Sequence, residues 1–344
     1  MQSTTNDFFS SKQVLVTGGG GFLGKAIVTM LCRQGARVCS FSRNEYPDLT
    51  QYGVIQFLGD LADEQAVTDA AKGCDIIFHV AAKAGIWGKY KEFYEANVSG
   101  TANVLAACRK HSIKKLVYTS SPSVVFDGKD VENGDETLPY PADYNAAYPR
   151  TKAMAEKLVL AANSTELATV SLRPHLIWGP GDNHLVPRII DKARSNRLRR
   201  LGRKTCLVDT VYVDNAAQAH LLAAQKLEPG SSVAGKSYFI TNNEPLPLWE
   251  MVNAILAAAK LPPVTKSVSP KLAYAIGAVC EACWAALKLN GEPPMTRFVA
   301  KELSTSHWFD ISAAQRDFGY KPQISIKEGL QYLQHWLQES KKPC

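Results

Sequence analysis

Short apolar runs alternate with stretches of helical spacing over the first half of the chain. The runs at 13–16 (QVLV), 38–41 (VCSF), 54–58 (VIQFL), 75–80 (DIIFHV) and 116–119 (LVYT) predict strands. Between them, 25–34, 64–72 and 93–111 carry apolar residues at a helical period. A long helix is predicted over 143–162, a strand over 169–172, and helices over 247–260 and 326–339. Repeated strand–helix units imply an α/β fold: a doubly wound parallel sheet of Rossmann type with helices on both faces. The rhythm fades beyond the turn-rich RPHLIWGPG segment. That places a dinucleotide-binding part at 12–180, with later strands returning from about 205–240. A smaller, mainly substrate-binding C-terminal lobe takes 181–340.

Two stretches stand outside this rhythm. Residues 271–289 (KLAYAIGAVCEACWAALKL), opening on Lys271 and closing on Leu289, are strongly apolar and near the length of a membrane span. Glu281 in the middle would be costly in lipid. The fitting readings are a helix capping an apolar substrate cleft or lying on a membrane surface, with a plain buried helix as the alternative. The segment 192–204, from Lys192 to Lys204, holds seven basic residues. It reads as a solvated helix face, or as a site for an anionic surface or a substrate carboxylate.

Composition narrows the class. In 344 residues, 46% are hydrophobic and 21% charged, as in a soluble globular protein. A net charge of +7 suits an anionic cofactor or acidic surface; no nucleic-acid partner is expected. The eight cysteines, Cys344 among them, lie mostly in apolar or helical contexts and read as reduced core thiols. Cys280-Glu-Ala-Cys283 is a lone CxxC with no second pair, so helix packing is expected there and no metal. The polar start MQSTTNDFFSSK lacks an apolar core of the signal-peptide kind, which predicts a cytoplasmic protein.

The most informative chemistry follows the first strand. Gly18, Gly21 and Gly24 stand between that strand and a helix that follows. In that context, one glycine allows a tight turn, the next a close approach of pyrophosphate, and the last close helix–strand packing. The helix N-terminus, with Phe22 and Leu23, offers N–H groups to phosphates. The second strand ends in Ser42-Arg43, where an NAD enzyme would carry an acidic residue. A guanidinium there suits a 2′-phosphate, so NADP(H) is favoured over NAD(H). Asp60, beside Leu61, is placed to accept from an adenine amino group or to cap the next helix. Ala81 and Ala82 end the fourth strand with small side chains against which a cofactor can lie.

Tyr148 and Lys152 sit four apart on one predicted helix and share a face. A neighbouring ammonium is expected to lower the phenol's pKa and equip it to exchange a proton with a carbinol or carbonyl oxygen. Ser121, at a strand end in the same sheet, can hydrogen-bond that oxygen, and Lys152 can also hold a ribose. Glycine turn, serine-bearing strand end and Tyr/Lys helix fall in one β–α series, an order that suits hydride transfer.

The segments TGGGGFLG, ANVSGTANV, YTSSPSVVF, YPRTK and RPHLIWGPGD resemble the extended short-chain dehydrogenase/reductases, within them the 3β-hydroxysteroid dehydrogenase branch. GKSYFITNNEPLPLW is similar to the sterol-4α-carboxylate 3-dehydrogenases. GDLAD, AKAGIWGKY, GEPPMTRF, HWFD and RDFGYKPQISIKEGL resemble bacterial 2-alkyl-3-oxoalkanoate reductases of long-chain olefin biosynthesis. The resemblance implies NADPH-dependent reduction of a β-keto acid carrying large apolar arms, with a 3β-hydroxysteroid dehydrogenase as the alternative. It implies Tyr148 as proton donor/acceptor, Lys152 as its activator and ribose ligand, and Ser121, rather than Ser120, as oxygen binder. Pro174, Leu176 and Ile177 would line the nicotinamide. Trp87, Ser123 and His175 are candidate substrate residues, though His175 can equally be a packed, hydrogen-bonded side chain. Partner enzymes of an olefin pathway, membrane contact through 271–289 and a homodimer are the candidate associations. A catalytically silent nucleotide-binding scaffold is the reading furthest from these.

Overall fold

A computed structural model describes residues 7–202 and 204–339; Cys344 and Arg203 of the basic run lie outside the described residues. Seven parallel strands form the central sheet. They are β1 (Gln13–Thr17), β2 (Arg37–Ser42), β3 (Ile55–Leu58), β4 (Ile76–His79), β5 (Lys115–Thr119), β6 (Ala168–Pro174) and β7 (Lys236–Ile240). Their spatial order is 3-2-1-4-5-6-7, the doubly wound Rossmann arrangement with its switch point between β1 and β4.

The period of two explains why the strands read as unbroken apolar runs. Val14, Val16, Ile76, Phe78 and Val117 face one core, together with helix α1 (Phe22–Arg33) and the helix Val213–Lys226. Leu15, Ile77, Leu116 and Tyr118 face the other, under helices that include Glu64–Ala71, Gly100–Lys110 and α2 (Ala147–Ala161). A parallel sheet covered on both faces needs apolar side chains on both.

A third core, with Trp178, Ile189, Leu248, Ile255 and Leu333, lies in the C-terminal part. A small sheet accompanies it, in the order Leu246–Pro247, Leu207–Val208, His307–Phe309, Val131–Gly134. β7 shows the chain returning to the main sheet inside 205–240.

Three expected elements differ. α2 starts at Ala147 rather than at Asp143, because Pro139, Pro141 and the bend at 142–146 hold the preceding chain extended. The helix expected over 93–111 is broken into Tyr90–Tyr94, a π turn Glu95–Ser99 and Gly100–Lys110. The basic run is no helix face: the helix Leu185–Arg194 ends, Asn196 takes φ +53°, and Arg200–Leu201 pairs with Ser267–Val268.

The apolar stretch forms helix α3 (Pro270–Leu287), capped by Ser269. Among the described residues no helix is long and apolar enough to cross a membrane. Cys283 on α3 is exposed and Cys280 half-buried, so the CxxC does not serve as a packing seam.

Candidate active site

The glycine turn joins β1 to α1. Gly18 has φ +70°, and a Cβ there would stand 2.9 Å from the Ala81 Cα. A Cβ on Gly24 would collide with the Gly18 carbonyl oxygen, so helix and strand can close only on glycine. At Gly21 a Cβ would meet nothing nearer than that oxygen at 3.2 Å, which leaves its outer side open. Gly21 is also the N-cap and offers no side-chain acceptor. The first N–H groups of α1, from Phe22 to Gly24, therefore begin the helix free of its internal ladder. This cradle fits a dinucleotide pyrophosphate on geometry alone. The Tyr46 ring lies where a Cβ on Gly20 would have to go, a neighbour that the sequence did not announce.

Around the cradle, the Ser42 hydroxyl is shielded and has no hydrogen-bond partner, while Arg43 is exposed at the end of β2. Asp60 is exposed and closes a turn by accepting from the Ala62 N–H at 2.9 Å. Asp63, not Asp60, caps the following helix, accepting from the Ala66 N–H. Leu61 is buried and its carbonyl accepts from the Asn103 amide at 2.8 Å. Ala81 N–H, with Val80 N–H, donates to the Thr17 hydroxyl at 3.1 Å, which fixes the β4 end beside the glycine turn. Ala82 is exposed.

A buried polar chain continues inward from Thr17. Its hydroxyl pairs with His79 Nδ1 at 2.8 Å, and His79 Nε2 with Thr101 at 3.0 Å. Burial pushes His79 down to about 3, so it stays neutral. Asn97, in the π turn, donates to the Lys83 carbonyl and to Thr151 on α2, and accepts from Lys83 N–H at 2.7 Å. It thus ties the loop after β4 to the Tyr148 helix. Its only sequence signal was a polar residue inside an apolar helical pattern.

On α2, Tyr148 faces open space and Lys152 is buried. The Lys152 ammonium donates to the Thr119 carbonyl at 2.6 Å and lies 4.1 Å from the Tyr118 ring centre. Burial pushes it down to about 7, partly opposed by Glu156. Tyr148 moves opposite to expectation. Burial raises its pKa and the Glu302 carboxyl adds to the rise, while a hydrogen bond from the Ser121 side lowers it. Lys152 points elsewhere, so the phenol keeps its proton. Ser121, the partner of Tyr148, is held at 2.9 Å by the Ser123 hydroxyl.

α2 is anchored by a buried ion pair. Glu156, one turn after Lys152, takes Arg173 Nη2 at 2.7 Å and Nε at 3.1 Å, the Ser171 hydroxyl at 2.7 Å and the Tyr140 hydroxyl at 2.6 Å. Arg173 belongs to β6, which ends at Pro174. Leu176 follows with φ +42°, a costly conformation for this side chain. Ile177 pairs with Val211 directly afterwards. His175 leaves the substrate expectation: it is buried, with Nδ1 on Asp209 at 2.6 Å and Nε2 on His307 at 3.2 Å. Both nitrogens are committed to packing the lobe.

A cleft of about 550 Å³ opens past the start of α2. Ile86, Trp87 and Phe93 line one side, and Ala278, Ala282 and Ala285 of α3 another. A short helix, α4 (Arg297–Glu302), contributes Arg297 and Phe298. Arg297 is paired with Glu281 of α3 at 2.6 Å. Glu281, the residue that argued against a membrane span, therefore works inside the cleft wall. Ser123 stays beside Ser121 and does not line this cleft.

The family described as 3-beta hydroxysteroid dehydrogenase/isomerase matches residues 15–267. A 2-alkyl-3-oxoalkanoate reductase of Stenotrophomonas maltophilia is 55% identical over 323 residues, covering 93% of this chain and 98% of the relative. A decarboxylating sterol-4-alpha-carboxylate 3-dehydrogenase of Mus musculus is 34% identical, covering 95% and 91%. The solved UDP-glucose 4-epimerase of Thermus thermophilus, in complex with NAD, superposes with TM-score 0.72 at 24% identity, over 95% of this chain and 99% of that one. That likeness establishes the fold.

Proposed function

Because this chain belongs to the 3-beta hydroxysteroid dehydrogenase/isomerase family, we propose that it reduces the 3-keto group of a 2-alkyl-3-oxoalkanoic acid with NADPH, a step of long-chain olefin biosynthesis. The chain is an NAD(P)-dependent oxidoreductase of carbinol and carbonyl groups. The observation that carries the direction is the protonated, enclosed Tyr148 phenol beside Ser121, next to a largely apolar cleft. Reduction of a ketone needs a proton donor at that place, and a phenol held neutral is one. The substrate class follows the 55% identical relative.

The glycine cradle with Phe22, Leu23 and Gly24 would hold the pyrophosphate. Asp60, Leu61, Ala81 and Ala82 would border the adenosine half. Pro174, Leu176 and Ile177 would border the nicotinamide, and Lys152 the nearby ribose. The exposed guanidinium of Arg43 beside Ser42 supports a 2′-phosphate, hence NADPH over NADH. When bound, the reduced nicotinamide supplies the hydride equivalent. Ser121 donates a hydrogen bond to the ketone oxygen and fixes its direction. Tyr148 then gives that oxygen its proton. Trp87 and the alanine face of α3 receive the alkyl arms. The division into a cofactor part, 12–180 with the return at 205–240, and a substrate lobe, 181–340, follows from these assignments.

The outer face of α3 supports a peripheral contact with an anionic lipid surface. Leu272, Ile276, Val279 and Leu287 are exposed there, Val279 by 63% and Leu287 by 68%. Lys271 and Lys288 bracket the helix, and strand pairing brings Arg200 to its N-terminal side. A two-armed apolar acid would then reach the cleft along the helix that lines it. Tyr148→Phe tests the chemistry: NADPH binding should persist while turnover falls by about 100-fold or more. Near-normal turnover would remove Tyr148 from the mechanism.

A further inference from the structure

The cleft wall contains one acid that no structural role absorbs. Glu302 closes α4, the helix that gives Thr296, Arg297 and Phe298 to the cleft. Its backbone carbonyl is used, meeting His307 Nε2 at 3.0 Å. Its carboxyl has no hydrogen-bond or ionic partner among the described residues, although protein surrounds it, and its charge is felt at Tyr148. An enclosed carboxyl without a donor is costly, and the cost falls beside the reacting group.

The titratable groups around it supply no counter-ion. Arg297, on the same helix, is spent on Glu281. His307 is held neutral near 3 by burial, with His175 behind it on Asp209. Lys152 donates to Thr119, and Lys301 lies against Gly128. Tyr148 is a neutral phenol. Burial alone raises Glu302 to about 7, so below that pH it is a carboxylic acid with an O–H to donate.

We propose that Glu302 is a specificity-determining residue whose protonated carboxyl donates a hydrogen bond to the carboxylate of the substrate. This rests on the β-keto acid reading above. A β-keto acid places its carboxylate two bonds from the ketone carbon, so a ketone at Tyr148 brings that carboxylate to its immediate surroundings. A neutral acid there gives a charge-assisted bond to the anion. An ionised Glu302 repels it. The cleft then accepts the anionic head only while Glu302 carries its proton.

The test compares a 2-alkyl-3-oxoalkanoate with its methyl ester in NADPH-dependent kinetics of the whole protein from pH 5.5 to 8.5. A carboxylic acid of this kind ionises near ~4 and stays anionic throughout. For the wild type, KM of the acid should rise by about tenfold per pH unit once Glu302 ionises. The ester should show no such rise. Glu302→Gln keeps a donor at every pH, so its KM for the acid should lose the pH dependence. A KM rise shared equally by acid and ester overturns the assignment, as does a wild-type profile in Glu302→Gln. If that variant fails to fold, the acid-against-ester comparison in the wild type decides alone. Turnover of the acid with a flat KM overturns this role only; no turnover of the acid at any pH overturns the β-keto acid reading with it.

Discussion

The Glu156–Arg173 pair is where one atom's change should be felt furthest. Glu156 is inaccessible to solvent and Arg173 is 2% exposed. The pair joins α2, which carries Tyr148 and Lys152, to β6, which ends at Pro174. Glu156→Gln keeps the volume and removes the charge, leaving a buried guanidinium without its counter-ion. Breaking a buried pair from one side costs about 3–5 kcal/mol, or on the order of 10 °C in Tm for a chain of this size. The pH dependence has a definite sign. Burial pushes Glu156 up, but Arg173 and the hydrogen bonds around it prevail and hold it below its ordinary 4.5. Its stabilisation is complete above that value and is lost as pH falls through the lowered pKa. Urea unfolding at pH 7 of wild type, Glu156→Gln, Arg173→Met and Glu156→Met/Arg173→Met measures the effect. Both single variants should lose several kcal/mol, and the apolar double variant should recover most of it. A loss below about 1 kcal/mol in Glu156→Gln, or a double variant as weak as the sum of the singles, would refute the reasoning.

Two further perturbations complete the set. Gly24→Ala forces a methyl group into the Gly18 carbonyl oxygen; it should cost about 1–3 kcal/mol and abolish dinucleotide binding, read by fluorescence titration of NADPH, and unchanged binding would refute the cradle. Val279→Glu puts a charge on the exposed face of α3. Losing one large apolar contact, about 1.5 kcal/mol or more, should cut cosedimentation with anionic vesicles roughly tenfold, and equal cosedimentation would remove the membrane contact.

Much of the architecture was legible because it is periodic and local. The apolar runs that became β1 to β6 are short, and each is followed at once by its turn or helix. Gly18, Gly21 and Gly24 could be read because the demands on them, a positive φ and a backbone contact, are set within seven residues. Tyr148 and Lys152 share a helix face, and Ser121 stands at a strand end. What escaped were contacts between residues far apart in the chain. Glu302 and Tyr148 are separated by more than 150 positions, and nothing around Glu302 marks it. His175 looked available until Asp209 and His307 took its two nitrogens. The tyrosine's pKa was misjudged because sharing a helix face with Lys152 does not make the ammonium a neighbour: it turns to the Thr119 carbonyl. The basic run was misjudged because charge spacing says nothing of Asn196 ending the helix or of Arg200 pairing with Ser267.

Cofactor and substrate together decide the central claim. Purified protein would be assayed with NADPH and with NADH on a long-chain 2-alkyl-3-oxoalkanoic acid, beside a 3β-hydroxysteroid with NAD and NADP. Turnover of the keto acid with strong preference for NADPH, and little activity on the steroid, is the predicted result. Steroid oxidation with NAD and silence on the keto acid would contradict the substrate, the reductive direction and the role given to Arg43.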